Sequence, residues 1–319
     1  MKKIQKQILI LTGIALLFIV FDVSIYEIFT RRVISSYSQK LQAKSVELDE
    51  YLPFDSESKI VRKKAELSLT GDLPVMDGAA ALYPVFSAFV GAVYPEESCL
   101  FDGENFLPES RLQMNNTRGA YQAVVDGDSD IVFCADPSKE QLAYAKEKGV
   151  ELKMVPIGSD AFVFVVNAKN PINSLTVEQV RGIYTGKYTN WAELGGADKR
   201  IGALQRNEGS GSQTAMLSFM GGEPMKKDYD TFLGSAIGYS FRFYVEGIVE
   251  DSAVKLLSLN GVAPSKENIQ NKSYPVVGDF YAIYRSDNTN PNIPILIDWM
   301  LSEEGQQIVE ETGYVRVAR

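Results

Sequence analysis

Short apolar strands alternate with capped helices through most of this chain, and that alternation is its strongest constraint on fold. Asp130-Ile131-Val132-Phe133-Cys134 and Ala161 to Val166 read as buried strands, with further ones at Ile201 to Leu204 and Tyr281 to Tyr284. Leu82, Val85, Phe86, Phe89 and Val93 fall on one face of a helix opening near Ala79, and Pro84 sits in its first turn, where a missing N–H is tolerated. Gly119 to Asp126 reads as a helix that Gly127 ends. Ser138-Lys139-Glu140-Gln141 and Thr176-Val177-Glu178-Gln179 are capping boxes, opening helices to Lys148 and Tyr184. Ser212 to Met220 and a long final segment, Pro294 to Thr312, read as two more helices. The pattern predicts α/β lobes with mainly parallel sheets.

The N-terminus is of another kind. Lys2, Lys3 and Lys6 precede the uncharged apolar run Ile8 to Phe21, which Val23 to Phe29 extends past Asp22 and Glu27. Ile8 to Phe29 is long enough to span a bilayer as a transmembrane helix. No small-x-small cleavage site follows, which favours an uncleaved signal anchor over a cleaved signal peptide. The expected division is a cytoplasmic tail at 1–7, the anchor or signal peptide at 8–29 and a stalk or linker at 30–66. The bulk of the chain is then at the cell membrane on its extracytoplasmic side.

Composition removes several function classes. The chain has no His, so it can hold neither a Ser-His-Asp nor a Cys-His triad, nor a His-ligated metal. Two Cys cannot make a four-Cys metal site; Cys99 and Cys134 are either disulfide-bonded in an exported protein or free, Cys134 being in a buried strand. The net charge is −9, and beyond residue 33 it is −12, from 27 basic and 39 acidic residues. A general nucleic-acid binder needs a basic face, so none is expected as partner. Carboxylates, Lys, Tyr, Ser and Cys are left as the groups that could do chemistry; no metal and no cofactor is expected, and no catalytic residue is assigned.

Gln205-Arg206-Asn207-Glu208-Gly209-Ser210-Gly211-Ser212-Gln213-Thr214 follows a strand and precedes a helix. Its glycines allow a tight turn that exposes N–H groups, its hydroxyls and Arg206 can donate, and the helix N-terminus adds positive partial charge. That suits a tetrahedral oxyanion. No Lys stands where a Walker A loop needs one, and an ordinary capped turn is the plainer alternative. Met76-Asp77-Gly78-Ala79-Ala80-Ala81-Leu82-Tyr83-Pro84 and Asn115-Asn116-Thr117-Arg118-Gly119-Ala120 are similar strand–helix turns. Asp136, just past a buried strand, repels an anion unless the anion donates a proton; that would favour hydrogen phosphate over sulfate. Its alternative role is a helix cap ahead of Pro137. Glu208 could pair with Arg206 and hold its fork, or be a solvated loop charge.

From about Leu73 to Val317 the chain resembles the high-affinity phosphate-binding proteins of ABC importers, in the type 2 periplasmic-binding-protein class. The resemblance rests on Asp77-Gly78 with Leu82-Tyr83-Pro84, Ala135-Asp136-Pro137, Ile183-Tyr184-Thr185-Gly186-Lys187-Tyr188-Thr189-Asn190-Trp191, Arg206 to Ser212, Gly261-Val262-Ala263-Pro264 and Ser302-Glu303-Glu304-Gly305-Gln306. It implies two α/β lobes joined by two crossing strands, lobe 1 at 67–166 plus 275–319 and lobe 2 at 167–274, with inorganic phosphate between them. It also implies ABC permease subunits as partners. By motif, Arg206, Ser210, Gly211 and Ser212 hold phosphate from lobe 2. Leu82 and Tyr83 offer N–H groups, Thr117 a hydroxyl and Asp136 an acceptor for the ligand's proton, while Glu208 supports Arg206. The chain departs from the pattern at Ala79-Ala80-Ala81, where a hydroxyl residue is common, and in having no lipid-attachment Cys. These departures frame an alternative, a membrane-tethered sensor or interaction protein with a weakened anion site.

Overall fold

The computed structural model of the chain describes residues 46–226, 235–250 and 252–317. The expected membrane helix at 8–29 lies outside the described residues. Among those described, no helix is long and apolar enough to cross a membrane.

Among the described residues nine strands run in chain order: β1 Met76–Gly78, β2 Ile131–Cys134, β3 Leu152–Asn167, β4 Ser174–Leu175, β5 Gly202–Ala203, β6 Ala236–Phe241, β7 Val254–Leu256, β8 Ser258–Leu259 and β9 Val277–Arg285. The helices are α1 Tyr83–Val93, α2 Asn116–Asp126, α3 Lys139–Glu147, α4 Val177–Thr185, α5 Gly211–Met220, α6 Lys266–Gln270, α7 Asn292–Met300 and α8 Glu303–Thr312.

Two separate apolar cores make two lobes. The first gathers Phe86 and Phe89 of α1, Ile131 to Cys134 of β2, Leu296 and Met300 of α7 and Ile308 of α8. The second gathers Phe164 and Val166 of β3, Val180 and Ile183 of α4, Trp191 and Met216. Strand β3 joins them. It pairs with β9 as far as Ala161 and with β6 from Phe162 onward, and Ala161 is its first residue in the second core. Strand β9 returns: Val277 packs on the second core and Phe280 lies in the first. Near the lobe 1 end of β3 the register shifts between Pro156 and Gly158. Proline has no ladder N–H, and a Cβ at Gly158 would lie 2.3 Å from the Phe280 ring, so both residues fit a bulge.

The sheets are mixed rather than mainly parallel. β1–β2, β4–β8 and β5–β6 are parallel, whereas β2–β9, β3–β9, β3–β6 and β3–β7 are antiparallel. Helical crossovers produce the parallel pairs. An outgoing and a returning crossing strand that pair must run in opposite directions, and the apolar pattern cannot report that. The long final helix is also two helices: Ser302 caps α8, and a Cβ at Gly305 would lie 2.4 Å from the Trp299 carbonyl, so the chain turns there. Both predicted capping boxes form, as does the Gly127 stop.

Residues 46–66, the described part of the expected stalk or linker at 30–66, pack against lobe 1. Val46, Tyr51 and Ile60 are buried in the first core. Ser87 Oγ donates to the Tyr51 carbonyl at 2.5 Å, and the Tyr51 hydroxyl to the Gly247 carbonyl at 3.2 Å. The apolar residues of this strap follow neither a helical nor a strand period, so its polar composition hid them. Cys99 and Cys134 are both free thiols, Cys134 fully buried in β2.

Candidate functional site

The lobe 2 half is one continuous loop. Ser210 is the N-cap of α5: its Oγ accepts from the Gln213 N–H at 3.2 Å and donates to the Asn207 carbonyl at 2.9 Å. Its hydroxyl therefore serves the cap, as the plainer reading of the motif required. Gly209 at φ +77° makes the preceding turn, a conformation costly for other residues. Gly211 and Ser212 open α5, where first-turn N–H groups have no intrahelical acceptor and the helix dipole is positive. The half-buried Arg206 enters from β5. Its backbone N–H donates to Tyr239 Oη at 3.0 Å and to Gln213 Oε1 at 3.1 Å. Burial pushes the Tyr244 hydroxyl up, while the Arg206 guanidinium beside it, hydrogen-bonded to it, opposes that rise. Glu208 is exposed on the turn, in keeping with its alternative role as a solvated loop charge.

The lobe 1 half is assembled from three turns distant in sequence. Parallel pairing brings the C-terminal ends of β1 and β2 to one sheet edge, the usual ligand edge of such sheets. Asp77, fully buried at the end of β1, ties the turns together. Its Oδ1 accepts from the N–H groups of Gly78 at 2.7 Å and Asn115 at 2.8 Å, and its Oδ2 from Asn115 Nδ2 at 2.8 Å. Burial raises its carboxyl above the usual range while these hydrogen bonds pull it back. At the first turn the amides expected as donors are already engaged: Leu82 donates to the Ala79 carbonyl at 2.8 Å, and Tyr83 to that of Ala80. The first-turn amides, those of Ala80 and Ala81, are the ones that lack an intrahelical acceptor. Thr117 is nearly buried at the start of α2.

Asp136 is exposed just past β2, and it does not cap α3; Ser138 and Gln141 do. Burial and then the nearby Asp136 charge push the Tyr281 hydroxyl up to about 12.

The two halves meet. A Cβ placed on Gly211 would lie 3.3 Å from Thr117 Oγ1, and one on Gly209 would lie 3.5 Å from Arg118 Cδ. The structure thus apposes Thr117 with the Gly211 turn, and Gln213 and Tyr239 hold Arg206 at the same loop.

The lobes are joined by a buried ionic knot. Asp160 on β3 accepts from the Ala161 N–H at 2.9 Å and the Phe243 N–H at 3.0 Å, with Arg242 Nε at 3.3 Å. Arg242 Nη1 reaches Glu246 at 2.7 Å, and Nη2 donates to the Gly313 carbonyl. Burial pushes the Asp160 carboxyl up to about 6 against the Arg242 charge. The neighbouring Tyr314 hydroxyl donates to the Ala81 carbonyl, which connects this knot to the first turn.

Sequence reasoning missed Asp77, Tyr239, Gln213 and Tyr244 as supports. Asp77 and Gln213 stood inside the quoted motifs, but nothing in a linear pattern gives the contacts of Tyr239 or Tyr244. Among the described residues, no group of three or more Cys, Asp or Glu side chains is gathered as for a metal ion.

A profile of the PBP superfamily domain matches residues 109–304. The phosphate-binding protein PstS of Borreliella burgdorferi is 25% identical over 204 residues, covering 57% of this chain and 70% of that protein. PstS of Bacillus subtilis is 29% identical over 191 residues, covering 54% of this chain and 62% of that one. A crystal structure of a candidate phosphate ABC transporter substrate-binding protein with bound phosphate, from Clostridium perfringens, matches at a TM-score of 0.59 and 28% identity. The match covers 76% of this chain and 98% of that one.

Proposed function

This chain belongs to the PBP superfamily, and on that premise we propose that it is a substrate-binding protein that captures inorganic phosphate for an ABC importer. It binds its solute and is not an enzyme. The observation that supports the reading is the apposition of the Gly211 turn of lobe 2 with Thr117 of lobe 1. Arg206 supplies a guanidinium fork, Gly211 and Ser212 supply amides at a positive helix end, and Thr117 supplies a hydroxyl. Ala80 and Ala81 are the amides best placed to serve from the first turn, with Leu82 and Tyr83 shaping it. Ser210 acts through its cap. Asp136 accepts the proton of hydrogen phosphate, and the crossing strands β3 and β9 are the hinge on which the lobes close. Residues 8–29 anchor the chain, and the binding lobes face the extracytoplasmic side, where permease subunits receive the phosphate. The acidic surface sets no affinity; a few aimed donors do, so capture depends weakly on salt.

Calorimetric titration of the full chain with phosphate, arsenate and sulfate tests this. Phosphate should bind well below millimolar concentration and sulfate far more weakly; no phosphate binding below millimolar overturns the reading. Asp136→Asn should relax discrimination against sulfate, and unchanged selectivity overturns the proton-reading role. The alanines of the first turn, which add no hydroxyl, favour the second reading, a tethered sensor with a weakened site. That reading predicts millimolar binding.

A further inference from the structure

Arg206 carries the charge in the phosphate reading, so the placement of its backbone decides where that charge falls. Two buried side chains converge on its N–H. Tyr239 Oη accepts from it at 3.0 Å and Gln213 Oε1 at 3.1 Å, and the Tyr239 hydroxyl donates in turn to Gln213 Oε1. Gln213 is 5% exposed and Tyr239 3%. The Arg206 N–H can only donate, so the Gln213 amide must present its oxygen, and the hydroxyl proton of Tyr239 then has one direction to point. Gln213 also places its own N–H on Ser210 Oγ at 3.2 Å, so one residue grips both ends of the loop from Arg206 to Ser210. Tyr239 is rigid: it stands on β6, and its ring centroid lies 5.6 Å from those of Phe162 and Tyr184.

We propose that Gln213 and Tyr239 are positioning residues for Arg206, fixing its backbone so that the guanidinium meets the anion in one register. The proposal rests on the phosphate reading for its ligand and on this network for its geometry. Burial pushes the Tyr239 hydroxyl up to about 12, so it stays protonated and keeps its donor role through the physiological range. A network that merely sealed the core would act on every part of the site alike, whereas this one acts through a single arginine.

The test uses Tyr239→Phe and Gln213→Met in the full chain, the second variant keeping side-chain length while removing the acceptor. Each should weaken phosphate binding by about three- to tenfold, the effect of one neutral hydrogen bond. In an Arg206→Ala background, titrated at millimolar phosphate, that loss should largely vanish. A loss undiminished in that background, or no loss at all, overturns the proposal. In the ligand-free protein, the Arg206 amide should exchange with solvent faster in either variant while the Phe164 amide keeps its protection. Equal protection of the Arg206 amide also overturns it. If the unmodified chain takes no phosphate, the phosphate reading falls and the exchange result still decides the positioning claim.

Discussion

The two halves of the cleft solve the same problem by opposite means. The lobe 2 half is contiguous: a cation, two first-turn amides and their cap lie within Arg206 to Gln213, and neutral buried groups hold them. The lobe 1 half is scattered over the β1, β2 and α2 turns, offers amides and one hydroxyl, and is held by one buried carboxylate, Asp77. A negative charge beside an anion site would be counterproductive if it faced the ligand. Asp77 instead spends its acceptors on four protein donors, the Gly78 and Asn115 amides, Asn115 Nδ2 and the Ser129 hydroxyl, which orients two turns and leaves little field for the ligand to feel. Binding strength should thus reside mainly in lobe 2, while architectural stability of the site resides in lobe 1.

The largest expected effect tests the first half of that division. Arg206→Ala removes the charge-assisted partner of a desolvated anion and should cost about 3 kcal/mol or more, roughly a hundredfold in phosphate affinity. Its melting temperature without phosphate should stay near that of the unmodified chain, because Arg206 is half-buried and its backbone anchors survive. A large fall in unliganded stability would show the loop to be architectural as well.

Asp77→Ala should show the converse. It strands the Gly78 N–H, the Asn115 N–H and the Asn115 side-chain amide inside the protein, a loss of about 3 kcal/mol in unfolding stability. Calorimetric melting of the ligand-free protein should fall by several degrees, and phosphate affinity should weaken only as far as the turns loosen. Unchanged melting would mean that the turns hold themselves.

The same contrast explains what could be read from sequence. The lobe 2 loop is contiguous, so its glycines, hydroxyls and arginine stood side by side in Gln205 to Thr214 and made it a candidate anion site from sequence alone. The strand–helix alternation gave the α/β class, and the capping boxes gave the starts of α3 and α4. The lobe 1 site was visible only as three separate turns, because the tie between Asp77 and Asn115 spans 38 residues. Mixed sheet direction escaped for the same reason: β3 and β9 pair over a separation that no local period reports. The strap at 46–66 escaped because its apolar residues, such as Tyr51-Leu52 and Ile60-Val61, follow no helical or strand period among the charges, and their burial depends on what lobe 1 offers them. For Glu208 the sequence left a pair with Arg206 and a solvated loop charge both open; the residue is exposed, and Tyr244 lies beside the guanidinium, a contact no local pattern reports.

The smallest effect sharpens the comparison most, because it acts where the halves touch. Gly211 opens α5 without a positive φ, so alanine fits its backbone and should stabilise the ligand-free protein by about 0.5 kcal/mol through a less flexible unfolded chain. Its new Cβ, however, would lie 3.3 Å from Thr117 Oγ1 of lobe 1, close enough that one neighbour must shift by a few tenths of an ångström. That crowding exists only while the lobes are together, so it should cost about 1 kcal/mol on closure and lower phosphate affinity about fivefold. Gly211→Ala should therefore raise the ligand-free melting temperature and weaken binding at once. If both quantities fall together, the methyl disturbs lobe 2 itself; if binding is unchanged, the apposition of Gly211 with Thr117 does not belong to the phosphate-bound state, and the two half-sites would have to meet elsewhere.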